Sequence, residues 1–129
     1  YWAQPFAIGD ELGGQKAKPD QEVATNPMPD DSKFGGMEPG KNTTLGIIAT
    51  SAKLTSAECK RVAMMAHDGF ARAIRPVHTP FDGDTIFCIS GGTQEITQGP
   101  NRARRLGEIG SAAADCMARA IARGVYSAN

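Results

Sequence analysis

Thr43 stands where a stretch rich in glycine and proline gives way to an apolar, β-branched run, in Gly40-Lys41-Asn42-Thr43-Thr44-Leu45-Gly46-Ile47-Ile48-Ala49-Thr50. A threonine hydroxyl is a weak nucleophile until a base takes its proton. An N-terminal threonine carries that base itself, because its α-amine has an ordinary pKa of about 7.7–8.0 and is usable near neutrality. Such a residue has to be made by cutting its own amide. The hydroxyl attacks the preceding carbonyl, the acyl group moves from nitrogen to oxygen, and water hydrolyses the resulting ester. This needs a pliable segment before the threonine and a stiff strand after it, which is the pattern here, so Asn42–Thr43 is a candidate self-cleavage site. The plain alternative is that Thr43-Thr44 simply starts a strand and Asn42 is an ordinary turn residue. Spacing alone leaves both open.

Asp82-Gly83-Asp84 is the second candidate. Gly83 allows a sharp turn, so two carboxylates could converge at the mouth of a strand. Sharing a pocket would raise one pKa by mutual repulsion, leaving one group to position an amine or hydroxyl and one to shuttle a proton. A solvated turn or a hydrogen-bonded cap is the competing explanation. An EF-hand calcium loop does not fit, since its acidic spacing and closing glutamate are absent.

His67 and His78 could join Asp82 and Asp84 in a metal site, but no HExxH or CxxC accompanies them, so no metal and no cofactor are expected. Cys59 and Cys88 fall in apolar stripes, where a thiol is an inert packing group and not a nucleophile. Three cysteines with no close pair suggest reduced thiols and a cytoplasmic protein. Arg102, Arg104 and Arg105 read as a solvated helix face.

The elements that must carry these residues follow from pattern. A chain of 129 residues allows one domain, and 40% apolar with 6% aromatic residues implies a core built on Ala, Ile, Val and Met. A formal net charge of zero argues against a nucleic-acid partner, which demands a basic face. No run of eighteen apolar residues points to a membrane. Residues 1–42 carry seven acids and four bases, and 43–129 seven acids and ten bases, so the two parts should attract each other weakly. The start at Tyr1, without methionine, suggests a longer product.

Tyr1 to Gly14 is expected to form an extended or edge segment packed on something larger, and 15–41 a surface linker. Thr44 to Thr50 should be a short buried strand. Thr55-Ser56-Ala57-Glu58 has capping-box spacing, and Cys59, Val62, Ala63, Ala66, Phe70, Ala73 and Ile74 then form one helical stripe, ended by Pro76. Asp84 to Ser90 should be a second strand, broken by Gly91-Gly92, with a polar loop over 93–100. A second helix is expected from about Arg102 to Arg123, with Leu106, Ile109, Ala113, Cys116, Met117, Ala120 and Ile121 on its inner face. Arg119 and Arg123 would lie in its last turns. Strand, helix, strand, helix is a thin domain, and its all-apolar strands suggest that it completes a larger layered fold.

Taken together, Asn42-Thr43-Thr44-Leu45-Gly46-Ile47-Ile48-Ala49-Thr50, Met64-Met65-Ala66-His67-Asp68-Gly69 and Ala73-Ile74-Arg75-Pro76-Val77-His78-Thr79-Pro80-Phe81-Asp82-Gly83-Asp84-Thr85 resemble the self-processing L-aminopeptidase/D-esterase family. That family includes the β-peptidyl aminopeptidases and the nylon-type aminohexanoate-oligomer hydrolase. Phe6 to Gly14 resembles a family segment shortly before the cleavage site. The resemblance covers nearly the whole chain. It implies an α/β fold, a four-layer α/β/β/α sandwich like that of the N-terminal-nucleophile hydrolases, of which this chain supplies only the C-terminal part. Residues 1–42 would then be the end of the large (α) subunit and 43–129 the small (β) subunit, beginning with the nucleophile.

The resemblance further implies that Thr43 is the nucleophile after autocleavage at Asn42–Thr43, with Asp82 and Asp84 assisting it. It implies small peptides or aminohexanoate oligomers as substrates, and the rest of the large subunit as partner in a tetramer of αβ pairs. Many aminopeptidase members have serine at the nucleophile and a Ser/Glu pair at the positions of Asp82 and Asp84. The Thr with Asp/Asp combination here is more like the nylon-oligomer hydrolase. Two alternatives stay open: an acyltransferase of the ornithine-acetyltransferase type, and a non-catalytic module whose two helices dock on a partner.

Overall fold

A computed structural model of the chain describes residues 1–15 and 43–128. The linker expected over 15–41, and Asn42, fall outside the described residues except for Gln15. Between Thr43 and Ala128 the order is strand, helix, strand, helix: β1 (Leu45–Ala52), α1 (Ser56–Ala73), β2 (Thr85–Gln94) and α2 (Pro100–Ala128).

The two strands are parallel, with Leu45 opposite Thr85 and Ile48 opposite Cys88. A parallel pair needs a crossover, and α1 supplies it. The second strand is longer than its sequence suggested. It runs through Gly91-Gly92 to Gln94, with a register irregularity opposite Thr50 to Ala52. Gly92 takes a positive φ of 68°, so the glycine pair makes a bulge where a break was expected.

Helix α1 starts as expected. The Thr55 hydroxyl accepts from the Glu58 N–H, and the Glu58 carboxylate accepts from the Thr55 N–H at 2.8 Å. The same carboxylate takes both the Nε and an Nη of Arg102, at 2.6 and 2.8 Å. Arg102 also donates to the carbonyls of Lys53 and Ile96. It is therefore a clamp joining the first turns of both helices, and not part of a solvated face. Arg104 does remain exposed, paired with Glu108 at i, i+4.

Both helices cover one face of the sheet. Val62, Ala66 and Phe70 of α1, Ile86 of β2, and Ala113 and Met117 of α2 form the core, flanked by Ile48 and Cys88. The helices cross closely because the residues between them are small. A Cβ on Gly69 would run into the Ala114 carbonyl and come within 2.7 Å of Met117 Cβ. The buried residues of α2 are Gly110, Ala113, Ala114, Met117, Ala118 and Ala122; of the expected stripe Leu106, Ile109, Ala113, Met117 and Ile121 pack on the core, while Cys116 and Ala120 are exposed. The apolar stripes of both helices are thus used on each other and on the sheet.

The opposite face of the sheet is open among the described residues. Leu45, Ile47, Phe87 and Ile89 project from it and are all more than half exposed. The strands have the continuous apolar sequence of strands buried on both sides, and one side is covered here.

Residues 1–15 do not form an edge strand. They make a short 3-10 turn at Gln4–Phe6 followed by further turns, and they pack Ala3 and Leu12 against Ala118 and Ala122 of α2. Glu11 receives Nε and an Nη of Arg119 at 2.7 and 2.8 Å. Because α2 continues to Ala128, Arg119 does not sit in its last turn. It is the tether of this strap.

Candidate active site

The start of β1 and the turn before β2 are brought together by the parallel pairing. Thr85 N–H donates to the Thr44 carbonyl at 3.0 Å, and Thr44 N–H donates to Asp84 Oδ1 at 3.0 Å. These bonds carry Thr43, which is exposed, onto the Asp82-Gly83-Asp84 turn. The approach is close enough that a Cβ at Gly83 would lie 2.7 Å from Thr43 Oγ1. A side chain at that position would push the hydroxyl aside, so Gly83 leaves room for it to rest against the turn.

The two carboxylates have different surroundings. The Asp84 side chain is only 4% exposed. Its Oδ1 is held by Thr44. Its Oδ2 is buried and 2.8 Å from His78 Nδ1, off the axis of a ring N–H bond, and has no aligned hydrogen-bond partner. Asp82 instead closes its own turn. Its Oδ2 accepts from Thr79 N–H at 2.7 Å, while its N–H donates to the Thr79 carbonyl at 3.0 Å. Of the predicted residues, Thr43 and Asp84 are therefore joined through adjacent backbone. Asp82 precedes Gly83 and closes the turn onto Thr79. Asn42 lies outside the described residues.

His78 was singled out in the sequence only as a weak metal candidate. The structure puts it in the site. It has a left-handed backbone, φ 55°, in the segment between α1 and β2. Its ring lies 5.0 Å from that of His67 and 5.9 Å from that of Phe70. The signal available beforehand was its position, six residues before Asp84 between two prolines. Among the described residues no three His, Cys, Asp or Glu side chains are grouped to hold a metal ion. No helix among them is long and apolar enough to cross a membrane.

The thiols are poor candidates for chemistry. Burial, reinforced by neighbouring Cys59, pushes the Cys88 thiol up to about 11, so it is protonated at neutral pH.

Thr43, two residues before β1, and the Asp-Gly-Asp turn it meets belong to the motifs on which the resemblance was drawn. Residues 4–129 match the family described as Peptidase family S58. The chain belongs to peptidase family S58. Among relatives, an uncharacterized aminopeptidase of Mycobacterium tuberculosis is 43% identical over 104 residues, covering 75% of this chain and 30% of the relative. An uncharacterized aminopeptidase of Mycobacterium leprae is 46% identical over 94 residues, covering 67% and 26%. The 6-aminohexanoate-oligomer endohydrolase of Paenarthrobacter ureafaciens is 37% identical over 67 residues, covering 49% and 18%. The matched part of this S58 chain spans less than a third of the length of these curated relatives.

Proposed function

We propose that the full protein is an amide-bond hydrolase whose nucleophile is Thr43, freed as a new N-terminus by self-cleavage at Asn42–Thr43. The observation that carries this is the packing of Thr43 Oγ1 against Gly83, with the neighbouring N–H of Thr44 fixed by the buried Asp84 carboxylate. The glycine below the hydroxyl, and the buried carboxylate that holds the N–H of the next residue, support this reading over a plain strand start.

In turnover, the freed α-amine of Thr43 takes the hydroxyl proton. Oγ1 then bonds to the substrate carbonyl carbon, the C–N bond breaks, and the departing amine leaves with the proton. Water attacks the acyl-threonine ester and restores the hydroxyl. Asp84 holds the start of β1 in place through Thr44 and sets the orientation of Thr43. Asp82 shapes the turn through Thr79, which keeps Gly83 under the hydroxyl. Family membership favours substrates of the peptide and oligoamide class. The Thr/Asp/Asp combination favours the aminohexanoate oligomers named for some relatives, and the greater identity to the mycobacterial proteins favours amino-terminal peptide bonds.

The exposed sheet face of Leu45, Ile47, Phe87 and Ile89 belongs to the same reading. A second sheet laid on it, about 10 Å away, would complete an α/β/β/α sandwich with α1 and α2 as one outer layer. Residues 1–42 would be the end of the large subunit and 43–129 the small one, in an oligomer of such pairs.

The test is a substrate panel on the purified full-length protein: dipeptide amides, β-peptides and aminohexanoate oligomers, each with and without an added acceptor amine. Release of free acid from at least one class supports hydrolysis. Transfer to the acceptor with little free acid would replace it by an acyltransferase.

A further inference from the structure

We propose that His78 is the positioning residue for Asp84, and through Asp84 for the nucleophile. This rests on the roles given to Thr43 and Asp84 above. A carboxylate as buried as Asp84 requires partners for both oxygens. Thr44 N–H satisfies Oδ1. The described group that reaches Oδ2 is His78 Nδ1, at 2.8 Å and off axis. A catalytic hydrogen bond is commonly misaligned before substrate binds and tightens afterwards, and a small turn of the ring would align this one.

Two features hold the imidazole where it is. Its backbone is in the left-handed region, which non-glycine residues keep where the surroundings enforce it. Its ring packs against those of His67 and Phe70, and Phe70 is fully buried. Its Nε2 lies 3.5 Å from the His67 carbonyl, a long contact that becomes a hydrogen bond only when Nε2 carries a proton as well as Nδ1. The chain thus runs from the rigid core of α1, through His78 Nδ1, to Asp84, Thr44 and Thr43. An Nδ1–H is required for it, because a bare Nδ1 would present a lone pair to a carboxylate oxygen.

The experiment compares His78→Asn with His78→Gln in the full-length protein. Asparagine places an amide N–H near the Nδ1 position and tolerates left-handed backbone. Glutamine reaches the Nε2 position and leaves Oδ2 without a donor. The Asn variant should keep kcat within about threefold. The Gln variant should lose roughly 10²-fold in kcat with KM little changed, as expected for a misplaced reacting group. Melting temperatures are measured alongside. Because Gln pays more for the left-handed backbone, a second readout uses the wild-type protein. Long-range ¹H–¹⁵N correlation of the ring nitrogens should show a proton on Nδ1 of His78, with its ¹⁵N shift altered by Asp84→Asn.

Equal kcat in the Asn and Gln variants, or an unprotonated Nδ1 in the wild type, overturns the role of His78. The two proposals fail separately. A Thr43→Ala enzyme that still turns over removes the nucleophile, whatever His78 does. An inactive Thr43→Ala enzyme with the two His78 variants behaving alike removes only His78.

Discussion

Thr44 donates its N–H to Oδ1 of Asp84 at 3.0 Å, across forty residues of sequence, and so locks the first residues of β1 to the turn that opens β2. The parallel register continues from this bond, with Leu45 opposite Thr85. Strand pairing and the placement of Thr43 are consequently one event.

Gly83→Ala should impair the site more than the fold. The added Cβ would sit 2.7 Å from Thr43 Oγ1, in a turn where Gly83 does not have a positive φ. The hydroxyl must move, and a displacement of about 1 Å at a reacting atom costs up to roughly 10²-fold in rate. Cleavage rate at Asn42–Thr43 and kcat should fall together, while the melting temperature shifts little. Gly69→Ala should behave oppositely. Its Cβ meets backbone and the Met117 side chain between α1 and α2, so it should destabilise by about 1–3 kcal/mol.

Acid should weaken two ties between elements. Hydrogen bonds from Arg102 hold the Glu58 carboxyl at about 2, and hydrogen bonds from Arg119 do the same for Glu11, each lowered from 4.5. A carboxyl with a depressed folded pKa contributes stability that is complete above about 4.5. That contribution is lost progressively as the pH falls toward 2. The melting temperature should decline over this window, and Glu58→Gln should flatten the decline. An unchanged profile in Glu58→Gln would remove the Arg102 clamp from the account.

Arg119→Ala should release the strap of residues 1–15 from α2 while sparing the core. Trp2 is the chain's one tryptophan and lies under the Arg75 guanidinium, 5.2 Å from ring centroid to Cζ. Its fluorescence should shift and its quenching by iodide should increase. Far-ultraviolet circular dichroism should change little.

Thiol reagents should modify Cys116 first, since it is exposed and Cys88 is held protonated by burial. Modification at neutral pH should leave amide hydrolysis essentially intact. Inactivation that tracks Cys88 labelling would restore a cysteine nucleophile.

The strand start at Thr43 and the turn at Asp82-Gly83-Asp84 were each legible from local signals, a Gly/Pro-rich segment before an apolar run and two acids around a glycine, whereas their meeting was implied only by the family resemblance. The capping box of Thr55 and Glu58 was legible from local signals too. What escaped depends on distant partners. Arg102 looked like one of a solvated trio, and only folding brings it to Glu58 across 44 residues. His78 looked like a loop residue because nothing in its neighbours states that α1 will set its ring beside Asp84. Gly91-Gly92 looked like a break, since a bulge and a terminus share the same glycines until a paired strand tells them apart. On α2 the expected face missed Gly110, Ala114, Ala118 and Ala122, because small residues are weak markers of burial and a close helix crossing selects them over large ones.

The most direct measurement is the intact mass of the full-length protein after incubation, beside its Thr43→Ala variant. The account predicts that the wild type separates between Asn42 and Thr43, yielding a C-terminal piece that begins Thr43-Thr44-Leu45-Gly46, and that Thr43→Ala stays whole and inactive. A wild type that remains one piece while hydrolysing amides, or a Thr43→Ala protein that retains turnover, would contradict it.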